Sequence, residues 1–464
     1  MKQDAKVVVL GAGPAGLACG WALEESGDGD YAIFEKGSVY GGNARTVRFQ
    51  EFLYDTGPHR FHARDPETTE KVSKLLGSDL KSVEAPSRIW WQGKFVDFPL
   101  RPIQILRDGG LLYTLRASRD FILSRFNFRN RGGVTSFSDF AVRRFGATIA
   151  NTFLIPFSER LWGLPGSDLS PDIAGRRLPG FSIMGMVKDF ILPSRQSDHL
   201  EGRFLYPRLG YGQISDAMAG NLTSDRLKYG HRVVGIETEH DRVVTVQVEA
   251  GSEVIRVEPT SVINTLPITS IVQMMTPIPP DYVLEAASKL QFRDLVLVVL
   301  FVDVESISSA AVTYFQGNGY EFSRAHEPRN RSIAMSPAGK TSLVVEFPCF
   351  KSDSIWSRNS DELAKQLICD LDTMGLIDKT KVLGHDIHRL ENAYPVYFQG
   401  YKEISEIVIS YLDTFRNLRS LGRGGSYFYG HVHDFVREGF EVVESIRSSD
   451  DSPSSIVAGN LSSD

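Results

Sequence analysis

Three glycines near the start of the chain have the spacing that binds the pyrophosphate of a dinucleotide. They lie in the run Gly11-Ala12-Gly13-Pro14-Ala15-Gly16. In this pattern the first glycine permits a tight turn, the second admits phosphate to the backbone, and the third lets a helix pack closely on a strand. Glu35, 24 positions after Gly11, could accept hydrogen bonds from ribose hydroxyls and would repel a 2′-phosphate. These residues predict a dinucleotide other than NADP; the alternative is a glycine turn without a nucleotide.

The elements around these residues have the order of a βαβ unit. An apolar strand at 6–10 leads into the glycines, a helix runs from Leu17 to Ser26, and a second strand at 31–35 ends at Glu35. Free N–H groups and the dipole at the helix N-terminus favour an anion. This context makes the glycine spacing a strong indicator of dinucleotide binding.

A second pair of glycines follows closely, in the run Gly41-Gly42-Asn43-Ala44-Arg45-Thr46. It resembles the second glycine pair of FAD-binding amine oxidases, where the glycines let backbone reach the flavin's pyrophosphate and the arginine adds a positive charge. The resemblance implies FAD as the cofactor, contacted here also by Lys36, Gly42, Asn43 and Arg45. The alternative is an ordinary Gly-Gly loop.

The resemblance extends from residue 6 to about residue 446. The chain is similar to the protoporphyrinogen-oxidase-like flavoproteins, an amine-oxidase-like family that includes UDP-galactopyranose mutase. Matching blocks occur in order at 52–61, 91–100, 157–163, 176–178, 204–213, 264–267, 393–397 and 422–425. The first block usually contains Gly-Gly-His, and here Pro58 replaces a glycine between Gly57 and His59.

The resemblance implies an α/β fold with a Rossmann-type FAD-binding domain, of the glutathione-reductase-like two-domain class. A mixed β-sheet substrate domain and a helical insertion would complete it. The expected segments are 1–60, 195–267 and 385–446 for the FAD-binding domain, 61–102 and 268–384 for the substrate domain, and 103–194 for the insertion.

Residue patterns agree with this division. Helix-like spacing covers 104–150, while 295–304 and 341–347 are rich in β-forming residues. The Ser/Asp-rich segment 447–464 predicts a disordered tail.

The resemblance also assigns further residues to the flavin. These are Gly57, His59, Val234, Gly422, Arg423 and Phe435. A final helix at about 435–445 would direct its positive N-terminal end toward the flavin and stabilise negative charge on reduced flavin. An ordinary C-terminal helix is the alternative.

An anionic substrate is implied by a second set of matches. The predicted substrate-binding residues are Phe98, Arg101, Trp162, Arg177, Arg324, Tyr394 and Tyr429. Arg177 and Arg324 match the arginines that hold the diphosphate of the mutase substrate, a role that suits guanidinium groups, and the two tyrosines reach the same group. A structural salt bridge is the alternative for either arginine. Leu100 stands where eukaryotic-type mutases stack uracil on an aromatic ring, so the chain departs from the family there.

Histidines near the final helix are the candidates for proton transfer. His433-Asp434 stands where the family has Asp-His, and His431 precedes it by two residues. Histidine titrates near neutral pH, so we predict His433, His59 and Tyr394 as catalytic residues and a step that titrates between roughly pH 6 and 8. Loop positions without catalytic function are the alternative for the histidines.

Composition limits the possible partners. The net charge of −6 disfavours nucleic acid, and Cys19, Cys349 and Cys369 are too few and scattered for a disulfide framework or a metal site. A cytoplasmic location fits this cysteine content, and no apolar stretch reaches the ~18 residues of a membrane span. Residues 101–133 hold seven arginines against two aspartates among leucines. That pattern, within 103–131, predicts contact with an anionic membrane surface or a buried helix with a basic face.

Two reactions fit the sequence. In the first, an oxidoreductase passes a hydride from a small, anionic, sugar-like substrate to flavin N5. In the second, a redox-neutral pyranose/furanose mutase uses reduced FAD as a nucleophile. A flavin-binding protein without catalysis is a third alternative. The sequence leaves the substrate, the electron acceptor and the oligomeric state open.

Overall fold

The computed structural model describes residues 2–3, 5–98, 102–127, 133–177, 203–317 and 319–448. Its α-helices of eight or more residues are Pro14–Glu25, Pro66–Leu76, Pro102–Asn127, Phe137–Phe145, Ile155–Trp162, Gln213–Gly220, Asp281–Lys289, Ser360–Thr373, Tyr401–Leu412 and Val432–Ser448. Shorter helices include Ala147–Ile149, Asp172–Arg177, Ile268–Ile271, Ser354–Ser357 and Gly422–Gly425. None of the helices in these ranges is both long and apolar enough to cross a membrane.

Five parallel strands form the sheet that carries the glycine motif, called here the nucleotide sheet. In spatial order they are Leu227–Tyr229, Tyr31–Glu35, Val7–Leu10, Ser261–Asn264 and Leu418–Ser420. The central strand, Val7–Leu10, is buried along its length, as a near-continuous apolar run requires. Segments from three distant parts of the chain therefore build one sheet.

Two helices close one face of this part of the molecule. Pro14–Glu25 follows the glycine motif and packs along Val432–Ser448. Their approach depends on Gly439, where a Cβ atom would lie 2.8 Å from the Cβ of Ala18. The contact joins the first long helix to the last.

A second five-stranded sheet consists of Lys2–Gln3, Glu253–Val257, Arg242–Ala250, His231–Glu239 and Met275–Thr276. Two antiparallel pairs stand apart from the sheets, Thr46–Phe49 with Phe52–Asp55 and Leu80–Glu84 with Arg203–Pro207.

Seven strands form a mixed sheet, called here the substrate sheet. Its spatial order is Val382–Pro395, Phe292–Val302, Thr341–Cys349, Arg324–His326, Val312–Phe315, Ser87–Trp91 and Lys94–Phe98. The strand Phe292–Val302 is buried on both faces. Its even-numbered residues from Val296 pack in the cluster that includes helix Ser360–Thr373, and its odd-numbered residues pack toward Phe52 and Tyr54.

The α/β class is confirmed, and the strands fall close to their predicted positions. The predicted segment boundaries differ at the third FAD-binding segment and at the tail. Residues 385–395 belong to the strand Val382–Pro395, which pairs along Phe292–Val302 in the substrate sheet. The last helix continues to Ser448, so 447–448 are helical; the rest of the predicted tail lies outside the described residues.

Residues 61–84 were predicted for the substrate domain, but they contact the helices beside the nucleotide sheet and the strand Arg203–Pro207. Helix Pro66–Leu76 packs on Gln213–Gly220 and on Val432–Ser448, and Leu80–Glu84 pairs with Arg203–Pro207. An amphipathic helix packs where its apolar face finds a partner, and here that partner is the helical layer of the nucleotide sheet.

Candidate flavin and substrate site

The two glycine runs meet as one backbone cradle. Gly11 has φ of +99°, and a Cβ on Gly16 would lie 2.0 Å from the Gly11 carbonyl oxygen. A Cβ on Gly42 would lie 3.2 Å from Cα of Gly13, and Gly41 N donates to the Ala12 carbonyl at 2.8 Å. Side chains are excluded where the runs touch, which leaves backbone N–H groups at the start of helix Pro14–Glu25 for an anion.

Glu35 closes this cradle at the end of its strand. Its Oε2 accepts from Ala12 N at 3.0 Å, and its Oε1 accepts from Gly37 N at 2.8 Å. The carboxylate is thus fixed beside the first glycine turn, the position predicted for a ribose contact.

Other predicted cofactor residues face the substrate sheet or lie at an irregular strand position. Lys36 Nζ is 3.4 Å from Glu391 Oε2, and Asn43 Nδ2 donates to the Glu391 carbonyl at 3.3 Å. Both contacts join the cradle to the edge strand of the substrate sheet. Val234 falls at a register shift between Val233 and Gly235, so its backbone lacks a partner in the ladder with Arg242–Ala250.

Two arginines near the cradle have buried nitrogens that no described residue satisfies. These are Nε of Arg45 and Nε of Arg423. Arg423 Nη1 and Nη2 donate to the carbonyls of Ala393 and Gly430 at 2.8 and 2.9 Å, which fixes the guanidinium. Gly422 has φ of +79°, and a Cβ there would lie 2.8 Å from Cβ of Ala15. Buried donors without acceptors beside a glycine cradle fit a bound phosphate-containing cofactor.

Phe435 and Gly57 also lie in this region. Phe435 is buried in the last helix, and a Cβ on Gly430 would lie 2.7 Å from its ring. Gly57 lies under the ring of His59, where a Cβ would be 3.1 Å from Nε2.

Four of the residues predicted to bind substrate form one cluster: Arg324, Tyr394, Tyr429 and Trp162. Trp162 lies 6.2 Å from the ring of Tyr394 and 5.9 Å from that of Tyr429, and the two tyrosine rings are 5.3 Å apart. Arg423 lies over both tyrosines at 5.5 and 5.1 Å. Arg324 Nη2 donates to Tyr394 Oη at 2.7 Å.

Arg324 is also one half of a buried ion pair. Its Nε lies 2.6 Å from Glu346 Oε2, with side-chain exposures of 10% and 0%. Burial alone would lower the pKa of Arg324, but the Glu346 carboxylate raises it well above its usual value. Arg324 therefore forms the salt bridge that was the structural alternative for this residue. Its guanidinium also contacts the tyrosine cluster.

Three further residues were missed from the sequence: His326 and Arg331, which are buried, and Arg60, which is half-buried. Arg60 Nη2 donates to Ser87 Oγ at 2.9 Å, and Arg331 Nη2 donates to the Ala311 carbonyl at 2.9 Å. Nε and Nη1 of Arg331 are buried without a hydrogen-bond acceptor among the described residues. Burial lowers the pKa of Arg60 to about 10 and that of His326 well below its usual value, with Arg331 and Arg324 adding repulsion in both cases.

His59 lies among these charges. Its ring stacks on Tyr211 at 5.0 Å, and its Nε2 lies 2.9 Å from the Asn43 carbonyl oxygen. Because a carbonyl only accepts, Nε2 carries the hydrogen and Nδ1 keeps its lone pair in neutral His59. Burial, reinforced by Arg423, Arg331 and Arg324, lowers its pKa to about 3. His59 is therefore neutral near pH 7.

His433 occupies the first turn of the last helix, away from the tyrosine cluster. It lies 5.9 Å from Phe61 and stacks on His431 at 5.4 Å, with Nε2 3.6 Å from Asp434 Oδ1. His431, 6.1 Å from Tyr429, lies between His433 and the cluster. Burial lowers the pKa of both histidines, and that of His431 lies well below its usual value, so the predicted titration between pH 6 and 8 does not match His59 or His431.

The remaining predicted substrate residues are Phe98, Arg101 and Arg177. Phe98 ends its strand 5.7 Å from the ring of Tyr314, which itself pairs with Arg324 across the sheet. Arg101, like Leu100, lies outside the described residues, and Arg177 ends helix Asp172–Arg177 with its side chain also outside them.

A hydrogen-bonded triad ties the hairpin before His59 to the substrate sheet. Buried Tyr54 donates from Oη to Asp386 Oδ2 at 2.5 Å and lies 2.6 Å from His388 Nε2. Next to it, Asp55 accepts from Tyr211 N at 2.9 Å, from Thr46 Oγ1 at 2.7 Å and from Tyr206 Oη. Tyr54 and Asp55 thus fix the hairpin from both faces.

Comparison with known proteins gives the class. The model of the flavin containing amine oxidoreductase family matches residues 14–431, and the chain belongs to that family. It is an FAD-dependent oxidoreductase.

Individual relatives are distant. Chloroplastic protoporphyrinogen oxidase 1 of Arabidopsis thaliana is 23% identical over 466 residues, which cover 91% of this chain and 84% of the relative. The Spinacia oleracea protein of the same name is 23% identical over 472 residues, covering 91% and 80%. The structure of reduced UDP-galactopyranose mutase is similar with a TM-score of 0.83 and 21% identity, covering 96% of this chain and 94% of the other. Wild-type putrescine oxidase bound to putrescine gives a TM-score of 0.64 and 16% identity, covering 97% and 100%.

Proposed function

We propose that the enzyme oxidises a small anionic substrate, sugar-like or nucleotide-sugar-like, with the hydride passing to flavin N5. The observation that carries this proposal is the group of guanidiniums around His59: Arg324 and Arg331, which are buried, and Arg60 and Arg423, which are half-buried. Among them, Arg331 retains two buried donors, Nε and Nη1, without acceptors among the described residues. Such donors favour an anionic ligand, because leaving them unpaired costs about 1–3 kcal/mol each.

In this proposal each residue has a distinct task. Bound FAD supplies the two-electron acceptor for the hydride. Arg324 and Arg331 hold the anionic group of the substrate, while Trp162 and the rings of Tyr394 and Tyr429 exclude water from it. The glycine cradle and Glu35 hold the adenosine diphosphate half of the cofactor.

His59 is our candidate for the hydrogen-bonding partner of the reacting group. Its Nδ1 has a lone pair because Nε2 donates to Asn43. A pKa of about 3 makes it a weak base, so it accepts a hydrogen bond from a substrate hydroxyl and orients it, while the hydroxyl proton leaves to water as the hydride is transferred. His433 is not proposed as the base, because it packs on Phe61 and His431.

A redox-neutral pyranose/furanose mutase is the second candidate. It is supported by the cluster of Arg324, Tyr394 and Tyr429, whose residue types suit a substrate diphosphate. In this reaction the same residues would hold the diphosphate of a nucleotide sugar while its ring opens and recloses.

One experiment separates the two candidates. Nucleotide sugars and simple sugar phosphates are mixed anaerobically with oxidised holoenzyme, and the flavin absorbance is followed by stopped flow. Oxidation predicts bleaching by the true substrate, with no inflection between roughly pH 6 and 8 from His59. Absence of bleaching by any candidate, together with isomerisation only by dithionite-reduced enzyme, would replace the oxidase with the mutase.

We also propose the glutathione-reductase-like two-domain organisation. Its FAD-binding, substrate and helical segments are those predicted from the sequence, except that 61–84 and 385–395 change domain. A cytoplasmic location is included on the basis of cysteine content.

A further inference from the structure

Buried nitrogen atoms without hydrogen-bond partners collect close to His59. Nε and Nη1 of Arg331 and both ring nitrogens of His326 have no partner among the described residues. Arg331 is 4% exposed and His326 is 2% exposed. A neutral imidazole keeps one N–H donor in either tautomer, so His326 adds a further donor to the two of Arg331. Buried donors are seldom left unpaired, because each one costs free energy.

The backbone explains why these two side chains meet. Arg324 and His326 are alternate residues of one strand, so their side chains leave the same face of the substrate sheet. Arg331 follows the short turn Pro328–Asn330, which contacts the strand Phe52–Asp55. Burial lowers the pKa of His326, and repulsion from Arg331 and Arg324 adds to that effect. The two arginines and the histidine therefore share one buried region.

The charge of Arg331 is not matched within the protein as that of Arg324 is. Arg324 pairs with Glu346 at 2.6 Å, whereas Arg331 has no ion-pair partner in the described part of the chain. Asp55 attracts Arg331 from farther away, and both of its carboxylate oxygens already accept hydrogen bonds. Burial prevails, and the pKa of Arg331 is lowered. A buried guanidinium with donors to spare favours an anion from outside the chain.

We propose that Arg331 and His326 bind a terminal oxyanion of the substrate, so that the substrate ends here in a carboxylate or a phosphate. The two side chains are almost closed off from solvent, which leaves no open surface along which a ligand could continue past them. An internal diphosphate, such as that of a nucleotide sugar, continues on both sides and does not fit a site with one entrance. With the oxidation proposed above, on which this step rests, the substrate narrows to a sugar acid or a sugar phosphate.

Small probes of each end group test the site in the holoenzyme. Acetate, methyl phosphate and dimethyl phosphate are titrated separately, and binding is followed by flavin absorbance and by calorimetry. Acetate or methyl phosphate should bind saturably, and the tighter of the two identifies the end group. Dimethyl phosphate is an internal diester with the same charge as acetate, and it should bind at least about tenfold more weakly than the tighter probe, because it offers no terminal oxyanion.

Substitutions then locate the bound anion. Arg331→Met should weaken the tighter probe about ten- to a hundredfold and His326→Leu about tenfold, because each loses a hydrogen bond to a charged group. The control Arg329→Met removes a neighbouring arginine that donates to the Glu305 carbonyl, and it should bind the probe normally.

Three results would overturn the proposal. The first is the absence of saturable binding of acetate and of methyl phosphate by wild type. The second is unchanged binding in Arg331→Met and in His326→Leu, and His326→Leu decides alone if Arg331→Met does not fold. The third is dimethyl phosphate bound as tightly as the tighter end-group probe, because the site would then be open on both sides. None of these measurements requires turnover, so a failure of the proposed oxidation, in which no sugar acid or sugar phosphate bleaches the flavin, is observed separately.

Discussion

Replacing Arg324 by methionine should separate its structural role from its role toward an anion. The guanidinium lies 2.6 Å from Glu346, whose side chain is fully buried and whose Oε1 has no other partner in the described structure. Removing one partner of a buried ion pair leaves an uncompensated charge, so Arg324→Met should lose about 3–5 kcal/mol of unfolding free energy. Arg324→Met with Glu346→Gln removes both charges and should recover most of that loss.

Binding of an anion should not recover in the double variant. Uridine diphosphate is a suitable probe, and loss of a charge-assisted contact of ~1.5–3 kcal/mol would weaken it about ten- to a hundredfold. Urea unfolding of the holoproteins measures the first effect, and calorimetric titration the second. Glu346→Gln alone is the matched control, since it keeps the guanidinium.

Two results would refute this reasoning. A loss of less than about 1 kcal/mol in Arg324→Met would mean that Glu346 is not buried as a charge. Full stability together with unchanged binding in the double variant would leave Arg324 without a role toward an anion.

Three further outcomes test the cradle and the buried titratable groups. Gly16→Ala should abolish FAD binding, because the new Cβ would lie 2.0 Å from the Gly11 carbonyl oxygen. The control Gly220→Ala, whose new Cβ would have nothing within 4 Å, should retain FAD. The amount of FAD released on denaturation measures binding in both variants. Burial raises the pKa of Glu438 to about 7, so its contribution to stability is lost as pH rises through 7. We therefore compare the free energy of unfolding in urea of Glu438→Gln with that of wild type. The difference should favour the variant more at pH 8 than at pH 5, by on the order of 2 kcal/mol. The low pKa of His59, about 3, has the opposite effect on the pH dependence. The contribution of His59 to the free energy of unfolding is fully present above pH 6.5 and is lost as the pH falls toward 3. His59→Gln should therefore lose less stability than wild type in acid, measured by the same urea unfolding.

The parts of the site that could be predicted are those encoded over short distances. The glycine turn, its helix and Glu35 lie within a single βαβ unit, and each has a steric or polar requirement that few residue types meet. Gly16 shows this most clearly, because no Cβ fits against Gly11. The residue types therefore reveal the backbone geometry.

Arg60 and Arg331 could not be found in this way. Arg60 follows a loop histidine, and Arg331 follows a short turn after a three-residue strand; neither belongs to a spacing pattern. They converge because the parallel pairing of Val312–Phe315 with Ser87–Trp91 joins distant segments. Long-range strand pairing is set by the whole core, so a local pattern carries no signal for it.

The position of His433 shows the limit of family alignment. Its residue type and neighbourhood resemble the family's Asp-His pair, but side-chain direction depends on where the helix begins. The helix starts at Val432, which places His433 in its first turn and turns the ring toward Phe61. One residue of rotation about a helix moves a side chain by about 100°.

The pairing of the first long helix with the last has a consequence for biosynthesis. The FAD cradle forms in the first 45 residues, but the strand Leu418–Ser420 and the helix Val432–Ser448 that complete its sheet and helical layer come near the other end of the sequence. At translation rates of about 5–20 residues per second, the ribosome needs roughly 20 to 90 s to supply them. During that interval the nascent chain carries the glycine turns without their packing partners. Stable capture of FAD is therefore expected to follow release of the last helix from the ribosome, and stalled chains that end before Leu418 should emerge without flavin.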